Sequence, residues 1–198
     1  MNRKSPLRIC PKKAAGLYRN TVSFRRAYVP DGKFFKASDF WRDAAADIPE
    51  VRIKLHYRSI LKASTNALDE LTVLVAPKQL FDNADRGCKQ SNFILAHEAG
   101  HISEEHHSEN AVSKYFQLFA TETGVANIPP TIEELETNYA ATFFLCGPAI
   151  FDLRRDALRL ADVAYCDIYY IKKVRKLLEQ QEFWEEMQKL NSTPRAVF

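Results

Sequence analysis

The segment Phe93–His101 constrains the fold of this chain most, because it places two imidazoles and a carboxylate among apolar residues. In a helix, residues four positions apart lie one turn apart on the same face, so His97 and His101 point the same way. The apolar residues around them predict that this helix is partly buried under a cleft. We therefore expect one face of a buried helix to carry the polar groups of a functional site.

The order His97-Glu98-x-x-His101 is typical of a metal site on a helix. Two imidazoles one turn apart can reach one Zn²⁺ at about 2.1 Å. Glu98 follows the first histidine and can take a proton from a metal-bound water, whose pKa zinc lowers to about 7. The sequence thus predicts two metal ligands and a general base for hydrolysis. Mn²⁺ or Fe²⁺ can occupy similar sites, so the metal itself stays open.

A catalytic zinc needs a third protein ligand, and a second acidic helix supplies candidates. Thr131 and Glu134 form a capping box that predicts the start of this helix, which runs to Leu145. The candidate ligands are Glu133, Glu134 and Glu136. Glu134 is favoured, because Asn138 shares its face and could orient a ligand through a hydrogen bond. Glu136 is the alternative, and acids near a helix start also simply complement the helix dipole.

Two further residues are candidates for stabilising a transition state. Tyr139 follows Asn138 and could polarise the scissile carbonyl, or it could be a packed aromatic residue. His106 follows the metal helix by about one turn and could donate to an oxyanion, although histidines at helix ends more often have no such role.

These residues resemble the ImmA/IrrE family of metallopeptidases. Phe93-x-x-Ala96-His97-Glu98-x-Gly100-His101 is similar to the family's F-x-x-A-H-E-x-G-H helix. Glu134-x-Glu136-x-Asn138, followed by Ala140-Ala141, is similar to its second helix. The resemblance covers about residues 50–150. The second helix departs from the family pattern at Thr137, where alanine is usual, and at Leu145-Cys146-Gly147-Pro148, which is one residue longer than usual.

The resemblance implies a zinc-dependent endopeptidase of the gluzincin type. It implies His97, His101 and Glu134 as zinc ligands and Glu98 as general base, since the family's third ligand lies four residues before the asparagine. It also implies a protein substrate, a helix-turn-helix DNA-binding repressor of a mobile element or a stress response. The alternative hypothesis is a regulator with a metallopeptidase fold that binds a repressor or nucleic acid without proteolysis.

The expected fold class is α+β, with a small antiparallel sheet packed against a mainly helical bundle that carries a zincin-like active-site helix. Alternating residues at 51–57 and β-rich residues at 71–75 predict the strands. We expect a basic, largely irregular segment at 1–35, the zinc-metallopeptidase domain at 36–150, and carboxyl-terminal helices at 151–198 packed on that domain. Two long helices are predicted there, at 149–164 and 167–190, and another helix at 111–121.

The amino-terminal segment bears on location and partners. Residues 1–26 hold eight basic residues and no acidic one, which suits either a solvated tail or a nucleic-acid contact. They contain no apolar stretch typical of a secretory signal. No window approaches the roughly 18 apolar residues of a membrane span. We therefore expect a cytoplasmic protein that does not contact a membrane, with direct nucleic-acid binding possible but not favoured.

Overall fold

The computed structural model describes residues 8–57, 63–68, 71–104 and 131–192. Within these ranges the α-helices are α1 Pro11–Arg26, α2 Ala37–Asp47, α3 Lys78–Asp85, α4 Lys89–Ser103, α5 Ile132–Cys146, α6 Ala157–Val163, α7 Ile168–Leu178 and α8 Gln181–Ser192. A 3₁₀ helix spans Gly147–Phe151. The strands are β1 Val51–His56, β2 Ser64–Leu68 and β3 Leu71–Pro77.

The three strands form one mixed sheet in the order β1-β3-β2. β1 runs parallel to β3, with Val51 opposite Thr72, and β2 runs antiparallel to β3, with Thr65 opposite Leu74. The α+β class, with a small sheet beside a helical bundle, is confirmed. The expectation of a purely antiparallel sheet is wrong. β2 lies in the connection between β1 and β3, and this extra strand lets the chain return parallel to β1.

The amino-terminal segment contains a helix where the sequence analysis expected an irregular chain. α1 begins with Pro11 at its first position, where proline is well tolerated. The buried residues of α1 recur at helical spacing and so form one face. They are Ala14, Ala15, Leu17, Tyr18, Thr21, Val22 and Arg25. The basic residues and Gly16 mask this period in the sequence, since Arg25 belongs to the buried face although it is charged.

α4 and α5 form the centre of the molecule and pack extensively against each other. α4 is buried from Ser91 to His101. Asn92 fixes its start, because its side chain accepts from the amide of Ala37 at 2.9 Å and donates to the carbonyl of Ala84 at 3.1 Å. These bonds hold α4 against α2 and α3. The helix that carries the histidines is therefore held in place from several sides.

The carboxyl-terminal part is more interrupted than the two predicted helices. Asp156 caps α6 and Asp167 caps α7, with the Asp167 carboxylate accepting from the amide of Tyr169 at 2.7 Å. Asp156 begins a new helix inside the one predicted at 149–164, whereas Asp167 begins α7 where the second helix was predicted to start. That second helix is instead divided between Leu178 and Gln181, where α7 ends and α8 begins. α7 contacts α5, and α8 contacts α1. The helix predicted at 111–121 lies outside the described residues.

None of the helices in the described ranges combines the length and the apolar character that crossing a bilayer requires.

Candidate metal centre

His97, His101 and Glu134 converge on one point between α4 and α5. The Nε2 atoms of the two histidines are 3.1 Å apart. Glu134 Oε2 lies 3.1 Å from His97 Nε2, and Glu134 Oε1 lies 3.8 Å from His101 Nε2. Both histidines are fully buried, whereas the Glu134 side chain is 21% exposed. Two buried nitrogens and a partly exposed carboxylate therefore meet between α4 and α5.

Hydrogen bonds on the far side of each ring set the tautomer of both histidines. His97 Nδ1 lies 3.1 Å from Asn138 Oδ1, which can only accept, so Nδ1 carries the hydrogen. His101 Nδ1 lies 3.2 Å from Thr137 Oγ1. The Thr137 hydroxyl donates to the carbonyl of Glu133 at 2.8 Å, so it accepts from His101. In the neutral form of each ring, Nε2 then carries a lone pair that faces the other ring and Glu134.

This donor set fits a divalent cation. Lone pairs of two neutral imidazoles and a carboxylate that face one another repel unless a positive charge lies between them. Donors bound at about 2.1 Å to a tetrahedral centre lie about 3.4 Å apart, close to the separations of 3.1 Å and 3.8 Å found here. Two histidines and one carboxylate are also a typical ligand set of catalytic zinc.

Glu98 lies beside the triad on α4 and is fully buried. Its Oε2 accepts a hydrogen bond from Thr65 Oγ1 of β2 at 2.9 Å. Its Oε1 has no hydrogen-bond partner among the described residues, although it is buried. Burial raises the pKa of Glu98 to about 7, and the charge of nearby Glu134 adds to this increase, while His97 and Thr65 oppose it. The free oxygen and the raised pKa suit a group that accepts a proton near neutral pH.

The structure distinguishes the three candidates for the third ligand, because the cluster found among the described residues contains Glu134 but neither Glu133 nor Glu136. Glu134 lies among the histidines. Glu136 instead pairs with Lys13 of α1 at 3.1 Å and is absent from the cluster. The two side chains leave α5 on different faces, because a helix turns about 200° over two residues.

Of the two sequence candidates for transition-state stabilisation, only Tyr139 lies within the described residues. Tyr139 is buried on α5, and among the described residues it makes no hydrogen bond to the three donors. Burial raises the pKa of Tyr139, and Tyr169 adds to the increase. His106 lies outside the described residues. Asn138, by contrast, is where the sequence analysis expected it, against His97.

Three residues near the site could not be identified as such from the sequence. Thr65 lies in a segment without clear periodicity, and Thr137 stands out only as a departure from the family pattern. Tyr170 of α7 stacks on Phe93, one turn before His97, with ring centroids 4.4 Å apart and planes at 11°. Burial raises the pKa of Tyr170 to about 12, and Glu134 contributes to this increase. No local pattern signals these contacts, because each joins elements that are distant in sequence.

Comparison with known families agrees with this geometry. Residues 65–162 match the model of Peptidase family M48, which is 98 of the 198 residues. The matched range contains the whole cluster and the residues bonded to it. These are Thr65, His97, Glu98, His101, Glu134, Thr137 and Asn138. No curated protein matches the chain significantly. Members of Peptidase family M48 are typically zinc-dependent. The match therefore supports a metallopeptidase family for this chain, without supporting the narrower ImmA/IrrE family.

Proposed function

We propose that the chain is a zinc-dependent endopeptidase in which His97, His101 and Glu134 hold the metal and Glu98 is the general base. The observation that carries this proposal is the convergence of three donor groups beside a buried carboxylate with one free oxygen. A structural carboxylate would be expected to have both oxygens bonded, because a buried acceptor without a partner costs free energy.

Each side chain has a separate task in the hydrolysis. Bound zinc would lower the pKa of a water and polarise the scissile carbonyl. Glu98 would accept a proton from the attacking water at Oε1 and later deliver it to the leaving amine. Thr65 holds Oε2, so the carboxylate keeps its free oxygen directed at the reaction. Asn138 holds the ring of His97 through Nδ1 and keeps its lone pair available.

The position of β2 supports a polypeptide substrate. β2 is an edge strand, and within the described part of the sheet it pairs only with β3. Its Thr65 contacts Glu98, so the strand passes directly beside the general base. An extended peptide can add to such an edge through main-chain hydrogen bonds. A chain bound in this way continues past the scissile bond on both sides, which favours an endopeptidase.

We propose a helix-turn-helix DNA-binding repressor of a mobile element or a stress response as the substrate, cleaved in the cytoplasm. Support for this choice comes from the sequence resemblance of the α4 and α5 motifs to ImmA/IrrE peptidases. A repressor in solution also requires no membrane contact from the enzyme.

Direct nucleic-acid binding through the basic amino-terminal residues is less well supported. Arg25 is buried, Lys13 pairs with Glu136, and Arg26 pairs with Asp31. These charges have partners within the chain and are less available to neutralise phosphates.

The test is cleavage by the zinc-loaded wild type compared with Glu98→Gln. The assay uses fluorescence-quenched casein and purified helix-turn-helix repressors. We expect Glu98→Gln to keep the bound zinc and to lose about 10²- to 10⁴-fold in cleavage rate, because the base is removed while the ligands remain. The matched control is Glu104→Gln, a second carboxyl with a raised pKa at the end of α4, which should cleave at the wild-type rate.

Normal cleavage by Glu98→Gln would refute the role of Glu98. A wild type that binds zinc and one of the repressors but cleaves no substrate would favour the non-proteolytic regulator instead.

A further inference from the structure

We propose that Thr137 is a positioning residue that fixes the ring and tautomer of His101, an inference that rests on the metal site proposed above. Thr137 is fully buried on α5, three residues after Glu134. Its hydroxyl lies 3.2 Å from His101 Nδ1 and 2.8 Å from the carbonyl oxygen of Glu133. The three groups form a short relay from the ring of His101 to the backbone of α5.

The direction of this relay follows from the number of available hydrogens. A threonine hydroxyl has one hydrogen, which goes to the carbonyl of Glu133, since that oxygen can only accept. The bond to His101 then requires Nδ1 to be the donor. His101 Nε2 is left without a hydrogen, as a metal ligand requires.

The relay also connects two of the three ligands. Its last member is the carbonyl of Glu133, and the next residue along the chain is Glu134. A shift of the first turn of α5 therefore moves the Glu134 carboxylate and the acceptor for His101 together. Thr137 in this way couples the orientation of a histidine on α4 to the position of a carboxylate on α5.

Close packing holds Thr137 in this position. At Gly100, an added Cβ would lie 3.1 Å from both the Cγ2 and the backbone oxygen of Thr137, and 3.3 Å from Ala140 Cβ. The absence of a side chain at Gly100 lets α5 approach the turn of α4 that carries His101. The Thr137 methyl group fills this contact while its hydroxyl faces the imidazole.

The experiment compares Thr137→Val with two controls. Valine keeps the shape and removes the hydroxyl, whereas Thr137→Ser keeps the hydroxyl. Thr142→Val removes a second buried hydroxyl of α5, which bonds to the carbonyl four residues earlier at 2.9 Å but contacts no ligand. Competition with a chromogenic chelator measures zinc affinity. Long-range proton–nitrogen NMR on the zinc-free protein at about pH 8 measures the His101 tautomer.

We expect Thr137→Val to bind zinc about 10- to 100-fold more weakly, with Thr137→Ser and Thr142→Val within about threefold of wild type. The zinc-free wild type and Thr137→Ser should carry the His101 hydrogen on Nδ1, and Thr137→Val should shift it towards Nε2. Equal weakening in Thr137→Val and Thr142→Val would overturn the proposal, because it would show a general effect of losing a hydroxyl.

An Nε2-protonated His101 in the zinc-free wild type would also overturn it, even if Thr137→Val did not fold. These failures differ from failure of the proposed function. A wild type that binds no zinc would refute the metal site, while the tautomer measurement would still report on Thr137.

Discussion

Two carboxyls of the metal helix show why a raised pKa alone does not identify a catalytic residue. Burial raises the pKa of both Glu98 and Glu104 to about 7. Glu104 has both oxygens bonded, Oε1 to Thr21 at 3.2 Å and Oε2 to Asn20 at 3.4 Å. Glu98 Oε1, in contrast, has no hydrogen-bond partner within the part of the chain that the structure describes. The hydrogen bonds of Glu104 give it a structural role, because they tie the end of α4 to α1, whereas the bonding of Glu98 supports the general-base role proposed for it.

The pKa of Glu104 predicts a pH-dependent stability. Unfolded, this carboxyl loses its proton near its ordinary pKa of 4.5, whereas in the folded protein it keeps the proton up to about pH 7. Between these values the folded state binds more protons, so its contribution to stability falls as pH rises. Relative to Glu104→Gln, the wild type should therefore lose about 2 kcal/mol of unfolding free energy between about pH 5 and pH 8.

Urea unfolding of the chelator-treated wild type and Glu104→Gln at both pH values measures this difference. Glu98 also has a raised pKa, so it too makes the unfolding free energy fall as pH rises. Both proteins contain Glu98, and its contribution therefore cancels in the difference between them. If the difference in unfolding free energy between the two proteins does not change with pH, the folded protein does not hold the proton of Glu104.

At the level of elements, Gly100 is the point where α4 and α5 approach each other closely, against Thr137 and Ala140. Gly100→Ala would place a Cβ 3.1 Å from the Thr137 backbone oxygen, which cannot rotate away as a side chain could. We expect a loss of about 1–3 kcal/mol of unfolding free energy, together with weaker zinc binding, because α5 must move away from His101.

A second glycine provides the matched control. Gly16 lies within α1, and apart from its chain neighbours and the backbone of its own helix, no atom of the described residues lies within 4 Å of an added Cβ. Gly16→Ala should stabilise the protein by about 0.5–1 kcal/mol, since alanine favours a helix and nothing obstructs it. Thermal or urea unfolding of Gly100→Ala and Gly16→Ala measures the change in unfolding free energy that each substitution causes. Equal effects of the two substitutions would contradict the close approach of α4 and α5.

At the scale of the whole molecule, Arg25 joins the amino-terminal helix to the end of α5. It is 1% exposed, and its Nε donates to the carbonyl of Phe144 at 2.9 Å. That carbonyl belongs to the last turn of α5, where helical carbonyls lack partners and a cation is favourable. The guanidinium also donates to the carbonyls of Pro30 and Lys33. A residue that looks like part of a basic tail is therefore a member of the core.

Arg25→Leu should lower the unfolding free energy by about 2–4 kcal/mol, because it leaves three carbonyls without their donor. Arg26→Leu is the control, since Arg26 lies next to it but forms an exposed pair with Asp31 at 3.0 Å and should cost less than about 1 kcal/mol. Urea unfolding of both variants measures the difference. If both variants lose a similarly small amount of unfolding free energy, Arg25 belongs to a solvated tail and not to the core.

The parts of the site that could be predicted depend on spacing within one helix. His97, Glu98 and His101 lie within about one turn of an apolar helix. Glu134 and Asn138 are likewise four residues apart and lie on one face of α5. Thr65 and Thr137 could not be assigned, because their partners lie far away in sequence. The parallel pairing of β1 and β3 was missed for a related reason. It depends on β2, whose sequence has no clear alternation of its own.

The proposed metal site requires α4 and α5 to hold one ion together. Metal analysis of the purified wild type, Glu134→Gln and Glu136→Gln tests it most directly, because the two glutamates are neighbours on one helix and only Glu134 lies among the histidines. We expect one zinc per chain in the wild type and in Glu136→Gln, and little or none in Glu134→Gln. A wild type without zinc after reconstitution, or full zinc in Glu134→Gln, would contradict the claim.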